Sequence, residues 1–363
     1  MNTDWRYAWS KPQVTGDLKT SAQDFYVEEE LGFEPEGKGE HLYIFIEKQG
    51  VNTEFLARLL ARHTKVPVNK VTYSGVKDRH AVTRQWFCLH VLNQDIDGAA
   101  LMQAISNELN EAETVKLVSM ARHPRKLKVG VHKTNRFVLR VRNLSGQLAD
   151  LEDRLALVAL EGVPNYFGPQ RFGINGNNLV QGRQWLAKDP SPKKRLSKTE
   201  SFWLSAIRSW FFNQALSDQV ASGLWGQVFL DDRVQLQGTQ SSFRVEDIDA
   251  NLLRRLHQLD LHPQLPLANN GALADTSMLR AHSMTQSWSE DGALLEQLNR
   301  LSLGREQRAA RVIPKNMVWE LLNDQLIVQF SLPKGSFATS VLRELIDFTD
   351  VSSPSTNENI NSQ

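Results

Sequence analysis

The chain has 363 residues, of which 41% are apolar and 23% charged, with 42 Lys and Arg against 41 Asp and Glu. This composition excludes wholesale disorder and predicts one large domain or two ordinary ones, while the single cysteine, Cys88, excludes a disulfide framework and a Cys-based metal cluster. Because no stretch approaches the ~18 apolar residues of a membrane span and residues 1–16 lack the apolar segment of a secretory signal, we expect a soluble cytoplasmic protein.

The first part of the chain predicts strands that alternate with helices. Aromatic and β-branched residues predict strands at 24–31 and 41–47, joined by a glycine-bearing turn. Thr53 is expected to cap a helix that ends near His63, because apolar residues recur there at helical spacing. The elements predicted to follow are strands at 71–73, 85–91, 114–121 and 136–141 and a helix at 99–109.

The second part of the chain is richer in helices. Amphipathic patterns predict helices at 151–161 and 205–219, and the pattern weakens into loops and short elements between 223 and 301. Strand residues return at 326–332, before a closing helix at 337–348. Since an isolated strand needs a sheet to join, we expect it to return to the amino-terminal sheet, which makes the middle region an insertion.

Positive charge is concentrated in one stretch. Residues 122–142 carry eight cations and no Asp or Glu. Such a run predicts a surface that binds a polyanion such as nucleic acid, and the alternative is a solvated strand edge on which lysines deter aggregation. The cations of this run are Arg122, Arg125, Lys126, Lys128, Lys133, Arg136, Arg140 and Arg142.

Common metal and nucleotide motifs are missing from the sequence. The nine histidines include no HExxH pattern and no pair at helical spacing, and no GxGxxG or P-loop motif is present. We therefore expect neither a metal nor a cofactor.

The densest group of reactive side chains lies in the loop predicted between the strands at 71–73 and 85–91. Asp78 stands there between Lys77 and Arg79. Flanking cations would lower the pKa of the carboxyl, which suits a nucleophile or a base. The alternative is a surface turn with an incidental run of charges.

The pattern G-x-K-D-x-x-A-x-T-x-Q, from Gly75 to Gln85, resembles the catalytic motif of the TruD family of tRNA pseudouridine synthases. Four further segments resemble motifs of this family in the same order. They are 19–28 with 37–41, 135–137, 163–173 and 332–340. The resemblance spans about residues 18 to 346.

This resemblance implies an α/β (α+β) fold, in which a pseudouridine-synthase core with a mixed, mainly antiparallel sheet carries an inserted TruD-specific α/β domain. The two lobes would form a V-shaped molecule. The implied domains are 1–158 and 312–350 for the catalytic core and 159–311 for the insertion, with a disordered tail at 351–363. The implied activity is the isomerisation of uridine 13 of tRNA to pseudouridine without a cofactor, by a protein that we expect to be a monomer.

The resemblance also implies roles for individual residues. Asp78 stands at the position of the catalytic aspartate, and the uridine pocket is implied to include Phe25, Asn135 and Phe337. The residues implied to support this site are Lys19, Glu28, Lys77, Arg79, Phe137, Arg171 and Phe172. The cations expected to contact the tRNA backbone are Arg122, Arg125, Lys126, Lys128, Lys133 and Arg140.

The implied chemistry needs one carboxylate and a pocket for a base that has left its stack. Asp78 could attack C1′ or C6 of the nucleotide as a nucleophile, or remove the proton from C2′ as a base. Two other functions fit parts of the sequence. A non-catalytic tRNA-binding protein would need only the basic surface, and a glycosidase-like hydrolase would usually need a second carboxylate.

Overall fold

The structure is a computed structural model that describes residues 3–92, 94–188 and 196–352. These residues form two compact units, each of which is built from separate stretches of the chain. The sheet unit comprises Gln13–Leu148, Lys315–Gly335 and the described residues from Asp347 on. The helical unit comprises the described residues up to Pro12 together with Ala149–Pro314 and Ser336–Ile346.

The elements of the amino-terminal part follow the predicted alternation of strands and helices. They are β1 (Thr15–Leu18), β2 (Phe25–Glu30), β3 (His41–Gln49), α1 (Thr53–Thr64), β4 (Val71–Tyr73), β5 (Val82–His90), α2 (Gly98–Ser106), β6 (Thr114–His123) and β7 (Thr134–Ser145). Those of the middle part are α3 (Ala149–Glu161), β8 (Val163–Pro164), α4 (Asn177–Leu186), α5 (Lys198–Ala221), β9 (Arg233–Leu236), β10 (Ser242–Arg244), α6 (Ala250–His257), β11 (Leu261–Pro266), α7 (Met278–Trp288), α8 (Gly292–Arg300), β12 (Gln307–Ala309) and β13 (Arg311–Val312). The chain ends with β14 (Lys315–Leu322), β15 (Gln325–Pro333), α9 (Ala338–Leu345) and β16 (Asp347–Asp350).

A ten-stranded mixed sheet forms the sheet unit, with the main strand order β14-β15-β7-β2-β5-β3-β6. Neighbouring strands are antiparallel except for β2 beside β5 and β1 beside β16. One face of the sheet packs against α1 and α2 through a core that includes Ile44, Ile46, Leu56, Leu60 and Phe87. The predicted mixed, mainly antiparallel α/β fold is therefore confirmed.

The late strand β15 joins the amino-terminal sheet, as the sequence predicts. It pairs with β7 from Leu326 opposite Val141 to Pro333 opposite Thr134. It is not isolated, however, because β14 forms an antiparallel hairpin with it. Asn323 in the turn has a positive φ of 52°, a conformation that Asn tolerates better than most residues.

Several sequence-based boundaries are wrong. The helix predicted at 205–219 begins earlier, as α5 at Lys198. The predicted helix 337–348 ends at Leu345. Phe348 belongs to the strand β16, where it pairs with Gly16 of β1. Thr53 is the first residue of α1 and not its cap. Asn52 is the cap, and its side-chain oxygen accepts hydrogen bonds from the amides of Glu54 and Phe55.

The helical unit is organised around α5, which is buried along most of its length. Phe211 of this helix packs edge-on against Trp288, and the Trp288 indole donates to the Phe211 carbonyl over 2.9 Å. The weakly patterned stretch 223–301 contains α6, α7 and α8, and three strands of a sheet with the order β10-β9-β11-β12. In the described part of the chain, no helix is long and apolar enough to cross a membrane.

The compact units divide near residues 148 and 314, whereas the predicted domain bounds lie at 158 and 311. Those domain bounds stay a prediction. The helix α9 belongs to the helical unit because it packs on α3, and the Ser340 hydroxyl donates to the Tyr166 carbonyl over 2.8 Å. The predicted tail lies outside the described residues from 353 on.

Candidate active site

Asp78 lies in the loop between β4 and β5 of the sheet unit. One carboxylate oxygen, Oδ1, accepts a hydrogen bond of 2.9 Å from the amide of His80. This hydrogen bond closes a tight turn between the side chain of Asp78 and the backbone two residues further on. The side chain remains 31% exposed. A substrate atom can therefore reach the carboxylate.

The second oxygen of Asp78 is paired with a buried lysine. Lys19 Nζ lies 2.7 Å from Asp78 Oδ2 and 3.2 Å from Asp350 Oδ2, and it sits 4.8 Å from the centroid of the Phe25 ring. Burial alone would raise the pKa of Asp78, but the Lys19 charge and the hydrogen bonds from Lys19 and His80 outweigh it. The net pKa is below its ordinary value, so the carboxylate is ionised at neutral pH.

The sequence prediction of which cations hold Asp78 ionised is wrong. Lys77 Nζ lies 2.6 Å from Glu29 Oε1 and donates to Asn135 Oδ1 over 2.9 Å. The exposed Arg79 donates from Nε to His80 Nε2. Neighbouring residues of an extended chain point in different directions. The counter-ion of the carboxylate is therefore Lys19, which is distant in the sequence.

The alternation of β2 and β7 places two of the predicted pocket residues, Phe25 and Asn135, on one face of the sheet. Glu29 is opposite Asn135 and Phe25 is opposite Leu139. The rings of Phe25 and Phe137 meet edge to face with centroids 6.3 Å apart. Lys19, Phe25, Lys77, Asp78, Asn135 and Phe137 are thus brought together by direct contacts and by position in the sheet unit.

The amide of Asn135 has a defined orientation. Its oxygen accepts from Lys77, and its nitrogen lies 3.4 Å from His132 Nε2. Burial and the charges of Lys77 and Lys334 lower the pKa of His132 to about 4, so this imidazole is neutral and can accept a hydrogen bond. Asn135 therefore offers its NH₂ group as a donor.

Glu28 is not brought to Asp78. It lies at the alternate position of β2, where its Oε2 is 3.3 Å from Arg84 Nη1 and 3.2 Å from Arg136 Nη2, and it also bonds to the Tyr26 hydroxyl. Successive side chains of a strand point to opposite faces, so Glu29 and not Glu28 shares the face of Phe25. Glu29 is not among the predicted site residues, although the alternation in FYVEEE could have identified it.

Three predicted residues belong to the helical unit. The Phe337 ring is partly buried and lies 5.9 Å from the Phe167 ring, and the Arg171 guanidinium sits 5.8 Å from the Phe337 centroid. Phe172 is a core residue, only 3% exposed, whose ring contacts that of Trp5.

The predicted basic surface is narrower than the run of cations in the sequence. The loop between β6 and β7 presents four exposed cations that make no ion pair among the described residues: Arg125, Lys126, Lys128 and Lys133. Arg122 instead donates to the carbonyls of Gly39, Val91 and Gln94. Arg140 is half-buried on β7.

The basic loop is attached directly to the loop of Asp78. The amide of Gly130 donates to the Ser74 carbonyl over 2.7 Å, and the amide of His132 donates to the Ser74 hydroxyl over 2.9 Å. The loop that bears the exposed cations is therefore hydrogen-bonded to the loop that bears Asp78.

One group of side chains could ligate a metal ion. Glu40, His41 and His90 place ligand atoms within 4.8 Å of one another. Burial and the neighbouring His90 lower the pKa of His41, although Glu40 acts against this shift. The group lies at the start of β3, about 25 Å along the strand from the end that contacts the Asp78 loop.

Comparison with known proteins agrees with the fold described above. The family model described as tRNA pseudouridine synthase D (TruD) matches residues 3–192 and 193–345. A tRNA pseudouridine synthase D from Pectobacterium atrosepticum is 39% identical over 93% of this chain and 94% of its own length. Its namesake from Pseudoalteromonas atlantica is 36% identical over 96% and 97%.

A solved structure supports the fold. The crystal structure assigned to tRNA pseudouridine synthase D from Methanosarcina mazei superposes with a TM-score of 0.67, at 20% identity, over 94% of this chain and 95% of that chain. The match of the family model over nearly the whole sequence, with relatives above one-third identity, settles the family. The chain belongs to the TruD family of tRNA pseudouridine synthases.

Proposed function

We propose that this protein isomerises uridine 13 of tRNA to pseudouridine and that Asp78 is the reacting carboxylate. One observation carries the proposal: Asp78 is ionised by a buried lysine that also contacts the ring of Phe25, yet the carboxylate remains open to substrate. The relatives named tRNA pseudouridine synthase D support the substrate class. Position 13 is the site that the family resemblance implies.

The reaction is an isomerisation in which no atom is gained or lost. The N1–C1′ bond breaks, the uracil turns, and a C5–C1′ bond forms while the proton on C5 moves to N1. An ionised carboxylate serves each of the three open routes, since it can attack C1′ or C6 or accept the proton of C2′.

The base must leave its stack to reach Asp78. Eversion costs a few kcal/mol, and one base stacked on an aromatic ring returns about 1–3 kcal/mol, so a single stacking contact in the pocket would offset much of the cost. The NH₂ group of Asn135 is oriented to donate to a uracil carbonyl. The role of Phe337, which belongs to the helical unit, stays a prediction of the family resemblance.

Affinity for tRNA is assigned to the four exposed cations of the basic loop. Phosphate contacts supply much of the free energy of RNA binding without reading its sequence. A loop attached to Ser74 would hold those phosphates at a fixed distance from Asp78.

The decisive experiment measures tritium release from tRNA that carries [5-³H]uridine. Asp78→Asn keeps the shape of the side chain but removes its charge, so we expect turnover to fall by about 10²–10⁴-fold or more with tRNA binding retained. Asp97→Asn is the matched control, because Asp97 caps α2 and Asn caps a helix equally well. We expect the control to keep full activity.

Other outcomes would identify the alternative functions. Release of free uracil would indicate a glycosidase-like hydrolase, and tRNA binding without tritium release by the wild-type protein would indicate a non-catalytic RNA-binding protein. Tritium release that persists in tRNA with cytidine at position 13 would contradict the assigned position.

A further inference from the structure

The loop that carries Asp78 is held on both sides by the turn between β3 and α1. The amide of Gly50 donates to the Arg79 carbonyl over 3.0 Å, and the amide of Lys77 donates to the Thr53 hydroxyl over 3.1 Å. Asp78 is thus the residue between two anchored neighbours.

The Thr53 hydroxyl is the centre of a buried hydrogen-bond relay. Because its oxygen accepts from the Lys77 amide, its proton is available for Gln85 Oε1, 2.9 Å away. This fixes the Gln85 amide, whose Nε2 donates to the Gly75 carbonyl over 3.2 Å. Thr53 and Gln85 are both 0% exposed, so water cannot replace a lost bond without entering the core.

The turn that bears Thr53 is itself rigidly held. Lys48, at the end of β3, is also fully buried, and its Nζ donates to the Val51 carbonyl over 2.9 Å. Asn52 caps α1 through two backbone amides. A shift of Thr53 would break several of these bonds at once.

We propose that Thr53 is a positioning residue for Asp78: its hydroxyl fixes the Lys77 amide and thereby sets the direction of the neighbouring carboxylate. This inference rests on the proposed role of Asp78. The carboxylate must meet Lys19 on one side and the nucleotide on the other, and a displacement of about 1 Å can cost a reaction about 10²-fold in rate.

The test compares three variants in the tritium-release assay with full-length protein. Thr53→Val keeps the branched shape but removes the hydroxyl, and we expect kcat to fall by about 10- to 100-fold with KM for tRNA unchanged. Thr53→Ser restores the hydroxyl, and most of the activity should return. Thr64→Val is the matched control, since Thr64 is a buried residue of the same helix whose hydroxyl bonds only locally, to the Leu60 carbonyl. We expect it to keep the wild-type kcat.

A variant at a second position tests the same relay in case Thr53→Val folds poorly. Gln85→Met removes the other half of the relay and should lower kcat in the same way, and the double variant should be little worse than either single one, because the two residues act as a unit. All assays are run below the melting temperature of the least stable variant.

The outcomes separate this inference from the proposed function. Wild-type kcat in Thr53→Val or Gln85→Met, a Ser variant no better than Val, or an equal loss in Thr64→Val would overturn the positioning role. Full activity of Asp78→Asn would instead overturn the proposed function itself.

Discussion

Lys19 combines three features that are unusual for a lysine. It is 7% exposed, its φ of +59° lies in the left-handed region, and its ammonium contacts two carboxylates and an aromatic face. A buried charge and a strained backbone each cost free energy, and such costs concentrate at functional sites. These costs favour the predicted site role of the cation beside Asp78 over a role in general packing.

Replacing Lys19 tests the electrostatics of Asp78. Lys19 opposes the effect of burial, so Lys19→Met should raise the pKa of Asp78 and shift the acidic limb of the pH–rate profile to higher pH. Activity at pH 5 should fall more than activity at pH 8, whereas Lys19→Arg retains the charge and should keep the ratio closer to that of the wild type. An unchanged acidic limb in Lys19→Met would show that another group holds Asp78 ionised.

The same shift has a consequence for stability. The folded-state pKa of Asp78 is lower than that of the unfolded chain, so its ion pair stabilises the fold above about pH 4 and loses this contribution as the pH falls through the folded-state pKa. Lys19→Met should weaken this contribution, while the hydrogen bond from His80 remains.

Sequence patterns predict Asp78, Phe25 and Asn135 as site residues but do not predict the side chains that contact them. The family motif fixes which carboxylate is central, and strand alternation could have assigned Glu29 to the face of Phe25. The counter-ion of Asp78 is 59 positions away along the chain, and only the fold of the sheet brings Lys19 to it. The roles of Thr53 and Gln85 were missed for the same reason.

At the scale of elements, the loop between β6 and β7 is the feature that separates structural cations from exposed ones. The sequence shows one uninterrupted basic run. In the structure, Arg136 and Arg142 pair with Glu28 and Asp24, whereas the exposed cations lie in the loop. Charge alone could not predict this division, because the acidic partners come from β2 and the segment before it.

The division predicts different behaviour for two kinds of variant. Replacing both Lys126 and Lys128 by Gln should weaken tRNA binding and reduce the salt dependence of log K by about 2, that is, about 1 for each phosphate contact. Arg122→Gln leaves backbone carbonyls without their donor and should lower the melting temperature while the salt dependence stays the same. Binding measured at several salt concentrations checks this, and equal slopes for all the proteins would contradict the proposed tRNA surface.

Short elements were the hardest to predict. Helix α6 has eight residues and β10 has three, too few for an apolar pattern to repeat. The strand β16 was read as helix because its residues follow an amphipathic helix, and only its parallel pairing with β1 makes it a strand. Long strands with clear alternation, such as β3 and β7, were predicted to within a few residues.

At the scale of the whole molecule, both units are assembled from distant parts of the chain. In the sheet unit, β15 and β16 pair with β7 and β1, so strands from the two ends of the sequence complete one sheet. Such long-range pairing must await most of the chain, which favours slow folding. The late strand was the one clue in the sequence to this arrangement.

Cys88 lies within that sheet on β5 and is 0% exposed, and burial raises the pKa of its thiol. As the chain has no other cysteine, a maleimide can react only when the packing around Cys88 opens, including that of Leu127 in the loop between β6 and β7. We expect very slow labelling of the native protein, faster labelling in mild denaturant, and added protection by bound tRNA. Rapid modification under native conditions would show that the packing around Cys88 opens far more often than the burial of this residue implies. The rate at which Cys88 is modified, followed by mass spectrometry, thus reports how often the structure around this residue opens.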